Sequence, residues 1–204
     1  AYGVYMGMKA CAKFKWGKDK LTGKRIVVQG VGHVGEHLVQ YLSKEGAVVS
    51  ISDINTDRLK RVAKENNATV IDGEDVFDVP MDIYAPCALG ATVNSDSINR
   101  LSCEIIAGAA NNQLENENLH GRQLMEKEIV YAPDFLINAG GLINVNSEVN
   151  GLSRERSMEM TEKIYDSTLD ILKFSKKKGV PTADAAMKIA QNRIESIGKV
   201  KLGK

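Results

Sequence analysis

Three glycines and one carboxylate are the residues whose types and spacing point most directly to chemistry. Gly30, Gly32 and Gly35 lie in Gly30-Val31-Gly32-His33-Val34-Gly35, directly behind the β-branched run Ile26-Val27-Val28, and Asp53 closes the next apolar run eighteen residues after Gly35. A strand feeding G-x-G-x-x-G, then a helical segment, then a strand ending in an acid is the layout of a dinucleotide-binding βαβ unit. Gly30 allows the tight turn out of the strand, Gly32 lets the backbone approach a diphosphate with no Cβ in between, and Gly35 lets the helix pack close to the sheet. The opening helix offers unpaired N–H groups and the positive end of its dipole to the phosphates. Glycine turns also arise for structural reasons alone; the strand before, the helix after and the acid at its distance give this one its specificity.

Asp53 decides between coenzymes. A carboxylate at the tip of the second strand accepts hydrogen bonds from the adenosine ribose hydroxyls and repels a 2′-phosphate, so NAD is expected rather than NADP. The competing reading makes Asp53 a turn or cap residue ahead of Asn55 and Thr56. His33 opens the phosphate-binding helix, where a solvated or helix-packing ring and a pH-sensitive contact to NAD are both open.

Positioning these residues requires a parallel sheet covered on both faces. Short apolar runs predict strands at 25–29, 47–53, 68–71, 81–85, 104–107 and 128–131, alternating with helical patterns. Val34, Leu38 and Leu42 recur at helical spacing in the first crossover; in the second, Leu59, Val62 and Ala63 face inward while Arg58, Lys60, Arg61, Lys64 and Glu65 take the water side. The fold class expected is α/β, a doubly wound, mostly parallel Rossmann-type sheet with extra C-terminal helices. Ligands of such sheets sit beyond the carboxyl ends of the strands, near the reversal of strand order. The loops facing a coenzyme are then 30–35, the turn after Asp53 that starts at Ile54, 85–90 with Cys87 and Ala88, 108–113 with Ala109, Asn111 and Asn112, and 132–134. Amides and small residues there suit a flat carboxamide and close approach to a ring.

Residues 135–145 form an apolar segment broken by Gly140-Gly141, a pair that costs stability inside a helical pattern unless something approaches the backbone. Two long helices follow. The first, 153–178, aligns Met160, Ile164, Thr168, Ile171 and Leu172; the second, capped by Thr182, aligns Ala186, Ile189, Ala190, Ile194 and Ile197. At the other end, Val4, Met8, Cys11 and Ala12 share one face of a helix with no capping residue ahead of it, so the chain is expected to be cut from a longer protein. The expected division is 1–150 as an NAD-binding domain with its lead-in helix, and 151–204 as C-terminal helices.

Composition narrows the function classes. The 204 residues are 43% hydrophobic and 26% charged, with a net charge of +1 from 27 basic and 26 acidic residues spread along the chain. Nothing there favours nucleic acid or an anionic membrane. Lys176-Lys177-Lys178 precedes Gly179 and reads as the cationic last turn of a helix. No apolar run reaches membrane-spanning length and no signal peptide is legible, which makes the cytoplasm the expected location. Three cysteines without metal-ligand spacing fit reduced thiols, and no metal is expected. Cys87 reads as a small buried side chain rather than a nucleophile.

Longer motifs carry a resemblance. Ala1-Tyr2-Gly3-Val4-Tyr5-Met6-Gly7-Met8-Lys9, Ala85-Pro86-Cys87-Ala88-Leu89-Gly90, Ala110-Asn111-Asn112-Gln113-Leu114 and Tyr131-Ala132-Pro133-Asp134-Phe135-Leu136-Ile137-Asn138-Ala139-Gly140-Gly141 resemble the coenzyme domain of the Glu/Leu/Phe/Val dehydrogenases, and its leucine-specific branch most. The resemblance implies NAD-dependent oxidative deamination of L-leucine and other branched-chain amino acids to 2-oxo acids and ammonia. It also implies that Asn112 lies by the nicotinamide, that Asn138 belongs to the cleft, and that Leu142 and Val145 line the pocket for the amino acid side chain. Apolar Leu142 and Val145 agree with an aliphatic substrate, since glutamate's second carboxylate needs a cationic partner. Core packing is the competing reading for both. The family's catalytic lysine and aspartate belong to a first domain that precedes the coenzyme domain, so no catalytic residue is assigned and the chain alone is expected to be inactive. Relatives form homo-oligomers, which is the expectation for the full-length protein. Two alternatives remain: phenylalanine or glutamate as substrate, and a non-catalytic NAD-sensing module, which would have no use for the amides at the nicotinamide end.

Overall fold

A computed structural model describes residues 1–202, with side chains described through residue 196. A lead-in helix, α1 (Tyr2–Trp16), precedes β1 (Arg25–Gln29), α2 (His33–Glu45), β2 (Val48–Ser52), α3 (Thr56–Asn66) and β3 (Thr69–Val70). The second half of the sheet follows as β4 (Ile83–Pro86), α4 (Ser95–Arg100), β5 (Ile105–Ile106), α5 (Glu117–Glu126) and β6 (Val130–Tyr131). Four helices close the chain: α6 (Asp134–Ile137), α7 (Gly140–Val149), α8 (Arg154–Lys178) and α9 (Thr182–Leu202).

All six strands pair in parallel in the order β3-β2-β1-β4-β5-β6. The chain winds outward from β1 to β3, crosses back to β4 and winds the other way, so the order reverses between β1 and β4. Side chains alternate between two apolar layers because the strand period is two. Ile26 and Val28, Ile83 and Ala85, Ile105 and Val130 join the layer shared with α1, α2 and α8. Val27, Tyr84, Ile106 and Tyr131 point into the opposite layer with Ile98 of α4 and Leu124 of α5. Ile164 and Leu172 of α8 and Val4, Met8 and Cys11 of α1 belong to the first layer, so the long helix α8 shares the sheet's core.

Five strands are shorter than their apolar runs predict, and β3, β5 and β6 keep only two residues of an expected four. Ala68 spends its N–H on the carbonyl of Ala63 (3.0 Å), and Ile129 spends its own on Leu124 (2.9 Å), so the preceding helix ends claim the first residues of both runs. The expected strand 104–107 likewise narrows to the pair Ile105–Ile106.

The Gly140-Gly141 pair does not interrupt a helix. A single turn, α6, ends at Asn138, and the glycines open α7, where a helix start tolerates them better than an interior does. Nor does Thr182 cap α9. Ala185 donates to the carbonyl of Pro181 (3.0 Å), which places Pro181 in the cap position and Thr182 inside the first turn. The apolar stripe expected along this helix ends early, since Ala190 is exposed and Ile194 is 71% exposed. Ile197 lies outside the residues whose side chains are described. Ser153, by contrast, caps α8 by accepting from the N–H of Arg156 (3.2 Å).

Candidate functional site

Beyond the carboxyl end of β1 the three glycines divide into two kinds. Gly30 has φ +96°, and a Cβ there would lie 2.6 Å from Cβ of Ala88. A Cβ on Gly35 would collide with the carbonyl oxygen of Gly30 and lie 3.4 Å from Cβ of Cys87. Both are filled by the protein itself, pressing α2 onto the turn and the turn onto the 87–88 loop. Gly32 is the opposite case: nothing lies within 4 Å of a Cβ built on it. It takes the cap position of α2 without a side-chain cap bond, so the ledge beside the helix's first N–H groups stays clear of side chains. That ledge fits the narrow, anionic diphosphate of a dinucleotide.

Asp53 stands next to it. One carboxylate oxygen accepts the N–H of Val31 (2.7 Å), tying the end of β2 to the glycine turn, and the other accepts the N–H of Asn55 (2.8 Å). The cap of α3 belongs to Asn55, which accepts from the N–H of Arg58 (2.9 Å). Each carboxylate oxygen has two lone pairs, so these bonds leave acceptor capacity for hydroxyl donors. Ile54 is fully exposed beside it. His33 is exposed on the first turn of α2, its ring edge-on to that of His37 with centroids 5.4 Å apart. Val34 is 39% exposed, whereas Leu38 and Leu42 of the same helix are buried.

The carboxamides gather on the β4–β6 side. Asn138 donates to the side-chain oxygen of Asn111 (2.6 Å), and Asn112 sits in the left-handed region (φ 51°) with its carbonyl accepting from Ala91 (2.8 Å). A Cβ on Gly90 would lie 2.7 Å from the carbonyl oxygen of Asn111, so the 85–90 loop abuts the amide loop. Gln113, fully buried, braces that loop from within by donating to the carbonyls of Gly108 (2.8 Å) and Ala110 (2.9 Å). A cavity of about 400 Å³ opens here, lined by residues that include Asn111, Asn112, Tyr131, Asp134 and Phe135. Ala88 is exposed and Ala109 half-buried in the adjoining loops. Leu142 and Val145 are 74% and 55% exposed on α7, so core packing does not account for them within this chain.

Burial pushes the Cys87 thiol up to about 11, more than the N–H of Ala109 lowers it. A thiol so placed stays protonated near neutrality and serves as small packing beside Gly35. Asp134 is the residue that sequence reasoning misses: 8% exposed, it anchors the amide loop from α6. Its position in the 132–134 loop is legible, but its partner, a backbone N–H twenty-one residues away, is not.

A family model described as Glutamate/Leucine/Phenylalanine/Valine dehydrogenase matches residues 1–57 and 54–201. The chain belongs to this family. It is 49% identical over 201 residues to the leucine dehydrogenase of Thermoactinomyces intermedius, covering 98% of this chain and 55% of that protein. The leucine dehydrogenase of Bacillus cereus is also 49% identical, over 197 residues, 97% of this chain and 54% of the relative. Among solved structures, the L-tryptophan dehydrogenase of Nostoc punctiforme superposes with a TM-score of 0.93 at 42% identity, over 95% of this chain and 59% of the other. The chain thus spans about half the length of the curated relatives it matches. Among the described residues no helix is long and apolar enough to cross a membrane, and no cluster of three or more His, Cys, Asp or Glu side chains could hold a metal ion.

Proposed function

We propose that this chain is the NAD-binding portion of an amino acid dehydrogenase that deaminates L-leucine and other branched-chain amino acids oxidatively, giving 2-oxo acids and ammonia. The observation that carries the reading is the open ledge over Gly32 beside the Asp53 carboxylate, at the reversal of strand order. Gly30, Gly32, His33, Val34 and Gly35 would hold the diphosphate, and Asp53 with Ile54 the adenosine end. Cys87, Ala88, Ala109, Asn111, Asn112 and Asn138 would surround the nicotinamide half. When bound, NAD would supply the hydride acceptor; the residues of this chain bind it, orient it and keep water from one of its faces.

Asn138, Leu142 and Val145 would form this chain's share of the amino acid pocket. The exposure of Leu142 and Val145 supports an apolar substrate side chain, and the similarity to leucine dehydrogenases supports leucine over phenylalanine or glutamate. The amide cluster speaks against a module that merely senses NAD, which would have no use for it. Residues 1–150 act as the coenzyme domain, and the helices of 151–204 return towards a catalytic half that supplies the proton-transferring groups. The full-length protein is proposed to be a cytoplasmic homo-oligomer. The test is turnover by the full-length protein with leucine, valine, phenylalanine and glutamate. Preference for leucine and valine supports the proposal; efficient turnover of glutamate alone overturns it.

A further inference from the structure

We infer that Asp134 is a positioning residue for the nicotinamide end of the site, locking the Asn111-Asn112 loop to the turn that carries Asn138. This rests on the coenzyme reading above. The Asp134 side chain is nearly closed to solvent, at 8% exposure, yet it is a carboxylate. A buried carboxylate is costly unless hydrogen bonds satisfy it, and here both oxygens are satisfied by main-chain donors. One accepts the N–H of Phe135 (2.8 Å), which fixes the direction of the side chain; the other accepts the N–H of Gln113 (3.1 Å), across twenty-one residues of sequence.

Three consequences join at that carboxylate. Gln113 directly follows Asn112, whose left-handed backbone and bond to Ala91 set the course of the loop. The main-chain carbonyl of Asp134 accepts the N–H of Asn138 (2.9 Å), so the residue that holds the loop also starts the turn presenting Asn138. The two branches then meet, 2.6 Å apart, at the Asn138 and Asn111 side chains. The result is a closed ring of bonds running from Asp134 through Gln113 to Asn111 and back through Asn138. A carboxylate is suited to the junction because it is acceptor-only on both oxygens, whereas an asparagine would turn an NH₂ towards one of two N–H donors. Burial first, and then the negative charge of Asp134, push the phenol of the neighbouring Tyr131 upward, so Tyr131 stays neutral and does not compete as an anion. Gly32 and Asp53, proposed for the diphosphate and the adenosine end, lie outside this ring.

The test compares two probes, NADH and ADP-ribose, the second lacking the nicotinamide, by titration of the unmodified protein, Asp134→Asn and Asn138→Ala. Positioning predicts that Asp134→Asn weakens NADH about tenfold and ADP-ribose less than about twofold. It further predicts that combining both substitutions weakens NADH by much less than the product of the two separate effects, because they break one ring. Equal weakening of both probes, or multiplicative effects in the double variant, overturns the positioning role while leaving the coenzyme site intact. If Asp134→Asn does not fold, Asp134→Glu, which keeps two acceptor oxygens but displaces them by one methylene, and Asn138→Ala, on a half-buried side chain, carry the same comparison. Failure of the unmodified protein to bind either probe overturns the coenzyme reading itself.

Discussion

Gly32→Ala and Gly35→Ala are predicted to have opposite consequences, although each adds one methyl group to the same turn. At Gly35 the new Cβ collides with the backbone carbonyl of Gly30, which cannot rotate away as a side chain can. Overpacking of this kind costs about 1–3 kcal/mol, only partly offset by about 1 kcal/mol of better helix propensity. At Gly32 the Cβ enters open space, and φ is −64°, which any residue adopts. Alanine is a poorer helix cap than glycine by about 0.5–1 kcal/mol, but it also restricts the unfolded chain by about 0.4–1 kcal/mol, so the two nearly cancel. With about 2–4 °C per kcal/mol for a domain of this size, Gly35→Ala lowers Tm by several degrees and Gly32→Ala leaves it within about 2 °C. Binding reverses the ranking. In Gly32→Ala the methyl group stands where the diphosphate is proposed to lie, so NADH weakens at least about tenfold in a protein of unchanged stability. Thermal unfolding and NADH fluorescence titration on the same samples check both. Wild-type NADH affinity in Gly32→Ala would refute the assignment of the ledge.

Three further outcomes follow from single side chains. Asp53→Ala is predicted to narrow the preference for NAD over NADP, because it removes both the proposed ribose acceptor and the charge that would repel a 2′-phosphate; an unchanged ratio of the two dissociation constants rules out the ribose role. With the Cys87 thiol held near 11 against about 8.5 when unfolded, iodoacetamide at pH 8 alkylates it about a hundredfold more slowly in the folded protein, as peptide mapping would show. Since that folded value is raised, its contribution to stability is complete below about pH 8.5 and is lost as pH rises towards 11. Asp82 titrates in the other direction: burial raises it, but hydrogen bonds from the Arg25 guanidinium and N–H outweigh this, and the net shift is downward. Its contribution is therefore present above about pH 4 and disappears as pH falls through the folded value. Urea titrations between about pH 6 and 3 detect it as a steeper loss in the unmodified protein than in Arg25→Met; equal slopes exclude it.

What can be read from the sequence is what depends on local periodicity. Ile26-Val27-Val28 before a glycine turn, and alternation between two apolar layers, suffice for the parallel sheet, and Ser153 announces the start of α8. Errors arise where neighbours in space decide. Nothing local shows that the carbonyls of Ala63 and Leu124 take the N–H groups of Ala68 and Ile129 and shorten two strands, or that Pro181 rather than Thr182 takes the cap position. The glycine spacing announces the turn, but which glycine is packed and which is open depends on Ala88 and on the Gly30 carbonyl. Asp134 is hidden for the same reason, since its importance rests on where the chain brings Gln113.

The coenzyme site is tested most directly by a crystal structure of the protein with NAD. The expected result has the diphosphate on the ledge over Gly32, the adenosine ribose hydroxyls donating to Asp53, and the nicotinamide facing Asn112 and Asn138. A coenzyme bound elsewhere, with Asp53 still bonded only to the N–H groups of Val31 and Asn55, would contradict it.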